Sequence, residues 1–173
     1  MKASVFIATS VDGYIARPDG ALDWLPPDDV VEEHGYTAFF ASVDALVIGR
    51  KTYEVVAAFA TWPYGAKPVV VLSTTLATVN APAGAVCEVM SGTPTEIARR
   101  LMQRGHQHVY IDGGETIQGF LEAGLIQRIV VTRIPVLLGS GIPLFGTLSR
   151  DIRLQHVATR SYASGMVQTE YAI

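Results

Sequence analysis

The chain has 173 residues, 49% of them hydrophobic and 17% charged, with a formal net charge of −3. That length suits one domain with a full core, and the charge lacks the basic excess of a nucleic-acid binder. The N-terminus carries no signal-peptide pattern, no apolar run approaches the ~20 residues of a membrane span, and the single cysteine, Cys87, allows no intrachain disulfide, so a cytoplasmic protein with neither nucleic acid nor membrane as partner is the expectation.

In chain order, a strand is predicted over Ala3 to Thr9, followed by a turn at Asp12-Gly13. Residues 18–27 are turn-rich and hold Trp24. A helix is predicted from Asp28 or Asp29 to about Ser42, because acids in a first turn answer the helix dipole. The run Ala45 to Ile48 reads as a buried strand, stopped by Gly49 and followed by Arg50, Lys51 and a helical segment over 52–59. Val69 to Leu72 is apolar throughout, as in a parallel strand covered on both faces. A strand over Val86 to Met90 leads to a helix from Thr95 to Arg104, stopped by Gly105. The strand His108 to Ile111 ends in Asp112-Gly113-Gly114, before a helix from about Glu115 to Ala123. A long strand over Arg128 to Pro135, a Gly/Pro-rich loop over 137–146 and two alternating strands, Ile152 to Thr159 and Met166 to Ala172, complete the chain. Strands alternating with helices and closing on an antiparallel pair predict one three-layer α/β/α domain with a mostly parallel sheet.

Three strands end in turns with anion-binding chemistry: Gly49-Arg50-Lys51-Thr52, Ser73-Thr74-Thr75 and Asp112-Gly113-Gly114-Glu115-Thr116. A strand that stops at a glycine and opens a helix presents free N–H groups to an anion, and a guanidinium matches phosphate oxygens bidentately. Neither a Walker loop nor a G-x-G-x-x-G fingerprint is present. In an open α/β sheet the carboxyl ends of parallel strands share one edge, where ligands collect. Three such turns there would grip a ligand with more than one phosphate: Gly113-Gly114 at a pyrophosphate, and Arg50, Lys51, Ser73 and Thr74 at an isolated phosphate such as the 2′-phosphate of NADP. Each turn also has a plainer reading, as tight geometry or a hydroxyl cap.

The segments Ala8 to Ala16, Leu22 to Pro26, Val47 to Glu54, Val71 to Ser73, Asp112 to Gly114 and Leu137 to Phe145 resemble, in order and over nearly the whole chain, the dihydrofolate reductase-like superfamily. Within it the chain is most similar to the C-terminal reductase domain of the bifunctional riboflavin-biosynthesis deaminase-reductase. The resemblance implies a sheet of about eight strands flanked by helices, NADPH as hydride donor, a small heterocyclic substrate and a homodimer. It places Arg50 and Lys51 at the adenosine 2′-phosphate beside Ser73 and Thr74. Gly49, Thr52, Gly113, Gly114, Glu115 and Thr116 fall at the pyrophosphate, and Ala8, Ile15 and Ala16 at the nicotinamide. Folate-type reductases carry a carboxylate on the first helix; here Asp29 has the matching spacing, with Asp12 as a second candidate facing the substrate. Reduction of dihydrofolate or another pteridine, and a non-catalytic nucleotide-binding module of the same fold, stand as alternatives. Tyr14, Tyr36 and Phe39 are candidates for an aromatic wall. His106 and His108 lack a third ligand, and no metal is expected.

Overall fold

The computed structural model of the chain describes residues 1–26 and 34–173. Its elements are β1 (Lys2–Ser10), β2 (Tyr14–Ala16), α1 (Tyr36–Ser42), β3 (Ala45–Gly49), α2 (Arg50–Ala57), β4 (Pro68–Leu72), β5 (Val86–Met90), α3 (Pro94–Gln103), β6 (His108–Asp112), α4 (Gly114–Glu122), β7 (Arg128–Ile134), β8 (Ile142–Pro143), β9 (Gln155–Ser161) and β10 (Val167–Ala172). Eight strands form one sheet in the order β5-β4-β3-β6-β1-β7-β10-β9, and β2 pairs with β8 in a small second sheet. The strands from β5 to β7 run parallel, while β10 is antiparallel to β7 and β9. This is the mostly parallel α/β architecture with an antiparallel C-terminal edge that the strand–helix alternation predicts.

Side-chain alternation sorts the central strands onto two cores. Ala3, Val5, Ala45, Val47, Val109 and Ile111 face α3 and α4, where Ile97, Leu101, Ile117 and Phe120 are buried. Leu46, Ile48, Val69, Val71 and Tyr110 face the opposite way, against Phe39 of α1 and Tyr53 and Val56 of α2. Because both faces are covered, β3 and β4 are apolar throughout, as expected of parallel strands. A third, smaller cluster joins Trp24 to Ile134 and Met166.

Several elements differ from the sequence-based expectation. The first described helix begins at Tyr36, because Gly35 stands before it at φ 82, outside helical geometry; the predicted start at Asp28 or Asp29 lies outside the described residues. The helix after β3 begins at Arg50 rather than Thr52, so both cations lie in its first turn. The strand expected from Ile152 begins at Gln155, and nearly all of its residues are exposed rather than alternating, as at the open end of the sheet, where β9 pairs only with β10 among the described residues. Two short strands, β2 and β8, were not expected; each is shorter than any periodicity can report.

Phe120 is fully buried at the centre of the α3–α4 core. Phe120→Ala is expected to destabilise the fold by about 3–5 kcal/mol, measured as a lower urea midpoint with an unchanged slope.

Candidate functional site

The site is set by strand register. Ile48 of β3 pairs with Val71 of β4 on one side and Asp112 of β6 on the other. The three turns that follow these strands are therefore level and adjacent, on the edge where α2 and α4 begin. Gly49 and Gly113 are the residues before those helices, and neither offers a side-chain cap. The helix after β5 differs: Thr93 and Glu96 form a complete capping box, with Pro94 at the first turn. The orphan N–H groups of α3 are thus met by its own side chains, while those of α2 and α4 receive no side-chain cap from Gly49 or Gly113.

Gly113 sits at φ 90, and a Cβ there would overlap Thr52 Oγ1. A Cβ on Gly49 would stand 3.1 Å from Thr116 Oγ1. The two turns are therefore pressed together, and glycine is what permits it. Lys51 spans them, its Nζ 3.4 Å from Glu115 Oε1, and Arg50 pairs with Glu54 at 2.8 Å. Arg50 and Lys51 lie in a first turn that contains no acid, an arrangement the helix dipole disfavours unless an anion joins them. Ser73 Oγ accepts from the N–H groups of Thr75 and Leu76 at 3.2 and 3.0 Å, so it caps its own turn, and Thr74 is exposed beside it.

On the other side of β6, a Cβ on Gly114 would stand 3.1 Å from Ile15 Cδ1 and 3.2 Å from the Pro143 carbonyl, so β2 and β8 close over the α4 turn. Ala16 is buried in this small sheet, and Ala8 of β1 is half-buried on the Trp24 cluster. The structure therefore brings Gly49, Thr52, Gly113, Gly114 and Thr116 into one cradle. Arg50, Lys51, Glu115, Ser73 and Thr74 stand at its rim, and Ile15 and Ala16 flank it.

The two carboxylate candidates fare differently. Asp29 lies outside the described residues. Asp12 accepts hydrogen bonds from the N–H groups of Leu138 and Gly139 at 3.1 and 2.7 Å, and a side-chain hydrogen bond from Ser10 first, then those amides, holds it below its ordinary value. Its contacts make it a clamp that ties the turn after β1 to the 137–139 segment. Of the aromatic candidates, Tyr36 and Phe39 cluster with Phe6 and Tyr110, ring centroids 5.0–5.5 Å apart; Phe39 is buried in the α1–α2 core, while Tyr36 keeps an exposed side. Tyr14 instead belongs to β2, opposite Pro143. His108 is held by Ser4 Oγ and the Ser42 carbonyl, at 2.8 and 2.9 Å.

The carboxyl that the sequence-based candidates omit is Asp112. Alternation along β6 puts it on the face of Tyr110, toward α1 and α2, and its Oδ1 accepts the Gly113 N–H at 2.8 Å. Dense packing around it removes solvation, and burial pushes its pKa up to about 6, against smaller lowering effects from Gly113, Tyr64 and Tyr110. The sequence signal was there: a charged residue at the inward-facing position of an apolar strand.

The fold class defined by this sheet and its crossovers is that of the dihydrofolate reductases: dihydrofolate reductase from Enterococcus faecalis, complexed with NADP(H), superposes with a TM-score of 0.65 at 19% identity, over 99% of this chain and 95% of that one. The chain belongs to the RibD C-terminal domain family, whose model matches residues 2–168. A candidate riboflavin biosynthesis protein from Shewanella sp. PV-4 shares 41% identity and a TM-score of 0.92, over 99% of this chain and 98% of that one. Protein YwjB of Bacillus subtilis (strain 168) is 33% identical over 98% of this chain and 97% of its own length. The diaminohydroxyphosphoribosylaminopyrimidine deaminase/5-amino-6-(5-phosphoribosylamino)uracil reductase of Thermotoga maritima matches 99% of this chain with 56% of its own, at a TM-score of 0.78 and 14% identity. Among the described residues no helix is long and apolar enough to cross a membrane.

The raised pKa of Asp112 makes a stability prediction. The folded value, about 6, lies above the ordinary 3.8, so the folded state holds this proton more tightly. The resulting stability is present below pH 4 and is lost as pH rises through 6. Wild type is therefore expected to lose about 1–3 kcal/mol relative to Asp112→Asn between pH 4 and pH 7.5, read by urea unfolding of both proteins at each pH; a constant difference would contradict it.

Proposed function

We propose that the protein is an NADPH-dependent reductase of the riboflavin-biosynthesis type, acting on a pyrimidine or pteridine-like heterocycle of the class of 5-amino-6-(5-phosphoribosylamino)uracil. The observation that carries this reading is the pair of uncapped helix starts pressed together at Gly49–Thr52 and Gly113–Thr116, with two cations in a first turn that lacks an acid. The cradle fits a dinucleotide: two glycines at points of close approach, backbone donors for a pyrophosphate, and a guanidinium and an ammonium for a further phosphate. When bound, NADPH supplies a hydride; the chain supplies position and a dry site.

In this reading Arg50 leaves Glu54 for the 2′-phosphate, with Lys51, Ser73 and Thr74 beside it. Thr52 and the first turn of α4 hold the pyrophosphate. Ala8, Ile15 and Ala16 border the nicotinamide, and Phe6 and Tyr36 offer ring faces to a planar substrate. Membership of the RibD C-terminal domain family supports the substrate class.

Isothermal titration with NADPH and NADH tests the cofactor assignment. Arg50→Ala is expected to weaken NADPH binding about 10- to 100-fold, as for loss of a charged hydrogen bond, and to leave NADH binding within about twofold. Equal losses for both would make Arg50 structural. NADPH oxidation with 5-amino-6-(5-phosphoribosylamino)uracil and with dihydrofolate then separates the two substrate classes, and turnover with neither would favour a non-catalytic nucleotide-binding module.

A further inference from the structure

The two cations on the rim of the cradle are not bare. Arg50 Nη1 donates to Glu54 Oε1 at 2.8 Å, and Lys51 Nζ stands 3.4 Å from Glu115 Oε1. The first contact is the closer and the less exposed. The Arg50 and Glu54 side chains are 41% and 53% exposed, against 71% and 85% for Lys51 and Glu115. Among the described residues, Glu54 is the one acid paired with Arg50.

Helix stability does not account for the Arg50–Glu54 pair. An i,i+4 pair supports a helix best with the acid on the N-terminal side, because that order also answers the dipole. The α3 helix follows the rule, with Glu96 in its first turn and Arg100 in its last. In α2 the order is reversed: the cation opens the helix, the acid stands one turn later, and the first turn holds no acid. This order sets a guanidinium on the rim and a carboxylate directly behind it, where it neutralises Arg50 while no other anion is present.

The same carboxylate works against an anion that arrives there. A phosphate that takes the Arg50 guanidinium must draw it off Glu54. It then meets the negative charge of Glu54 from about one helical turn away, inside the Debye length of ~8 Å at physiological salt. A dinucleotide with a free 2′-hydroxyl makes no such demand and leaves the ion pair intact.

We infer that Glu54 is a specificity-determining residue, which lowers the preference for NADPH over NADH by competing with the 2′-phosphate for Arg50. The inference rests on the reductase reading above, and within it on Arg50 at the 2′-phosphate. Glu54 acts through Arg50 and needs no contact of its own with the cofactor.

Isothermal titration of the full chain with NADPH and with NADH tests it, on wild type, Glu54→Gln, Arg50→Ala and the double variant. Glu54 is more than half exposed, and its carboxamide is of the same size, so the single variant is expected to keep the fold. Glu54→Gln is expected to bind NADPH about three- to tenfold more tightly than wild type, with NADH affinity within about twofold. In the Arg50→Ala background the same substitution is expected to gain no more than about twofold, since no guanidinium is left to release. Weaker NADPH binding by Glu54→Gln would make Glu54 a support that orients Arg50, and overturns the inference. So does an unchanged NADPH affinity, an equal change for both cofactors, or a gain of the same size with and without Arg50. If Arg50→Ala loses NADPH selectively while Glu54→Gln gains nothing, the role of Glu54 alone is lost. A wild type that binds neither dinucleotide sinks the reductase reading and this inference with it.

Discussion

The contact between Gly113 and Thr52 governs this molecule's working edge. Two turns from neighbouring parallel strands approach so closely that any side chain at Gly113 would overlap the Thr52 hydroxyl. That approach follows from the pairing of Ile48 with Asp112, which sets the ends of β3 and β6 level. It places the first turns of α2 and α4 side by side, so two sets of orphan N–H groups converge on one volume. The capping box on α3 shows that this chain satisfies a helix start with its own side chains where no ligand is required. Leaving α2 and α4 uncapped, with Arg50 and Lys51 in a first turn, makes an electropositive edge that an anionic ligand relieves.

The two faces of the sheet divide the labour. The α3–α4 side is the larger apolar core and holds the strands rigid and in register. The α1–α2 side holds Phe39, Tyr53, Tyr64 and Tyr110 together with the Asp112 carboxyl, whose pKa burial raises. A parallel sheet therefore carries a charged cradle at its edge and a ring-lined flank beside it. On the reductase reading, the first would take the phosphates of the cofactor and the second the planar heterocycle. The clamp from Asp12 to Leu138 and Gly139 holds the 137–139 segment against the turn after β1, and the pairing of β2 with β8 continues that contact toward the cradle.

Much of this was legible in the residues. Apolar runs ended by glycine located β3 and β6, and the order of strands and helices led to the parallel sheet. Juxtaposition of the three turns followed from the rule that parallel strands share a carboxyl edge. What was illegible depended on tertiary geometry. The start of α2 at Arg50 turns on local backbone shape at Gly49. Gly35 takes a positive φ, which single-residue patterns do not report, and the described helix begins just after it at Tyr36. Asp12 beside a glycine read in sequence both as a turn residue and as an acid facing the substrate, and its donors, the N–H groups of residues 138 and 139, are contacts that no sequence pattern reports. Asp112 was hidden by its neighbours: read as part of a phosphate turn, it was not weighed as an inward-facing acid on the strand that precedes it.

A crystal structure of the protein grown with NADPH tests the central claim most directly. The pyrophosphate is expected over the first turn of α4 at Gly113 to Thr116, the adenosine 2′-phosphate against Arg50 and Lys51, and the nicotinamide between Ala8 and Ile15. A dinucleotide seated elsewhere, such as the cavity of about 240 Å³ bordered by Thr9, Val131, Arg133 and Tyr171, or one whose 2′-phosphate points away from Arg50, would contradict it.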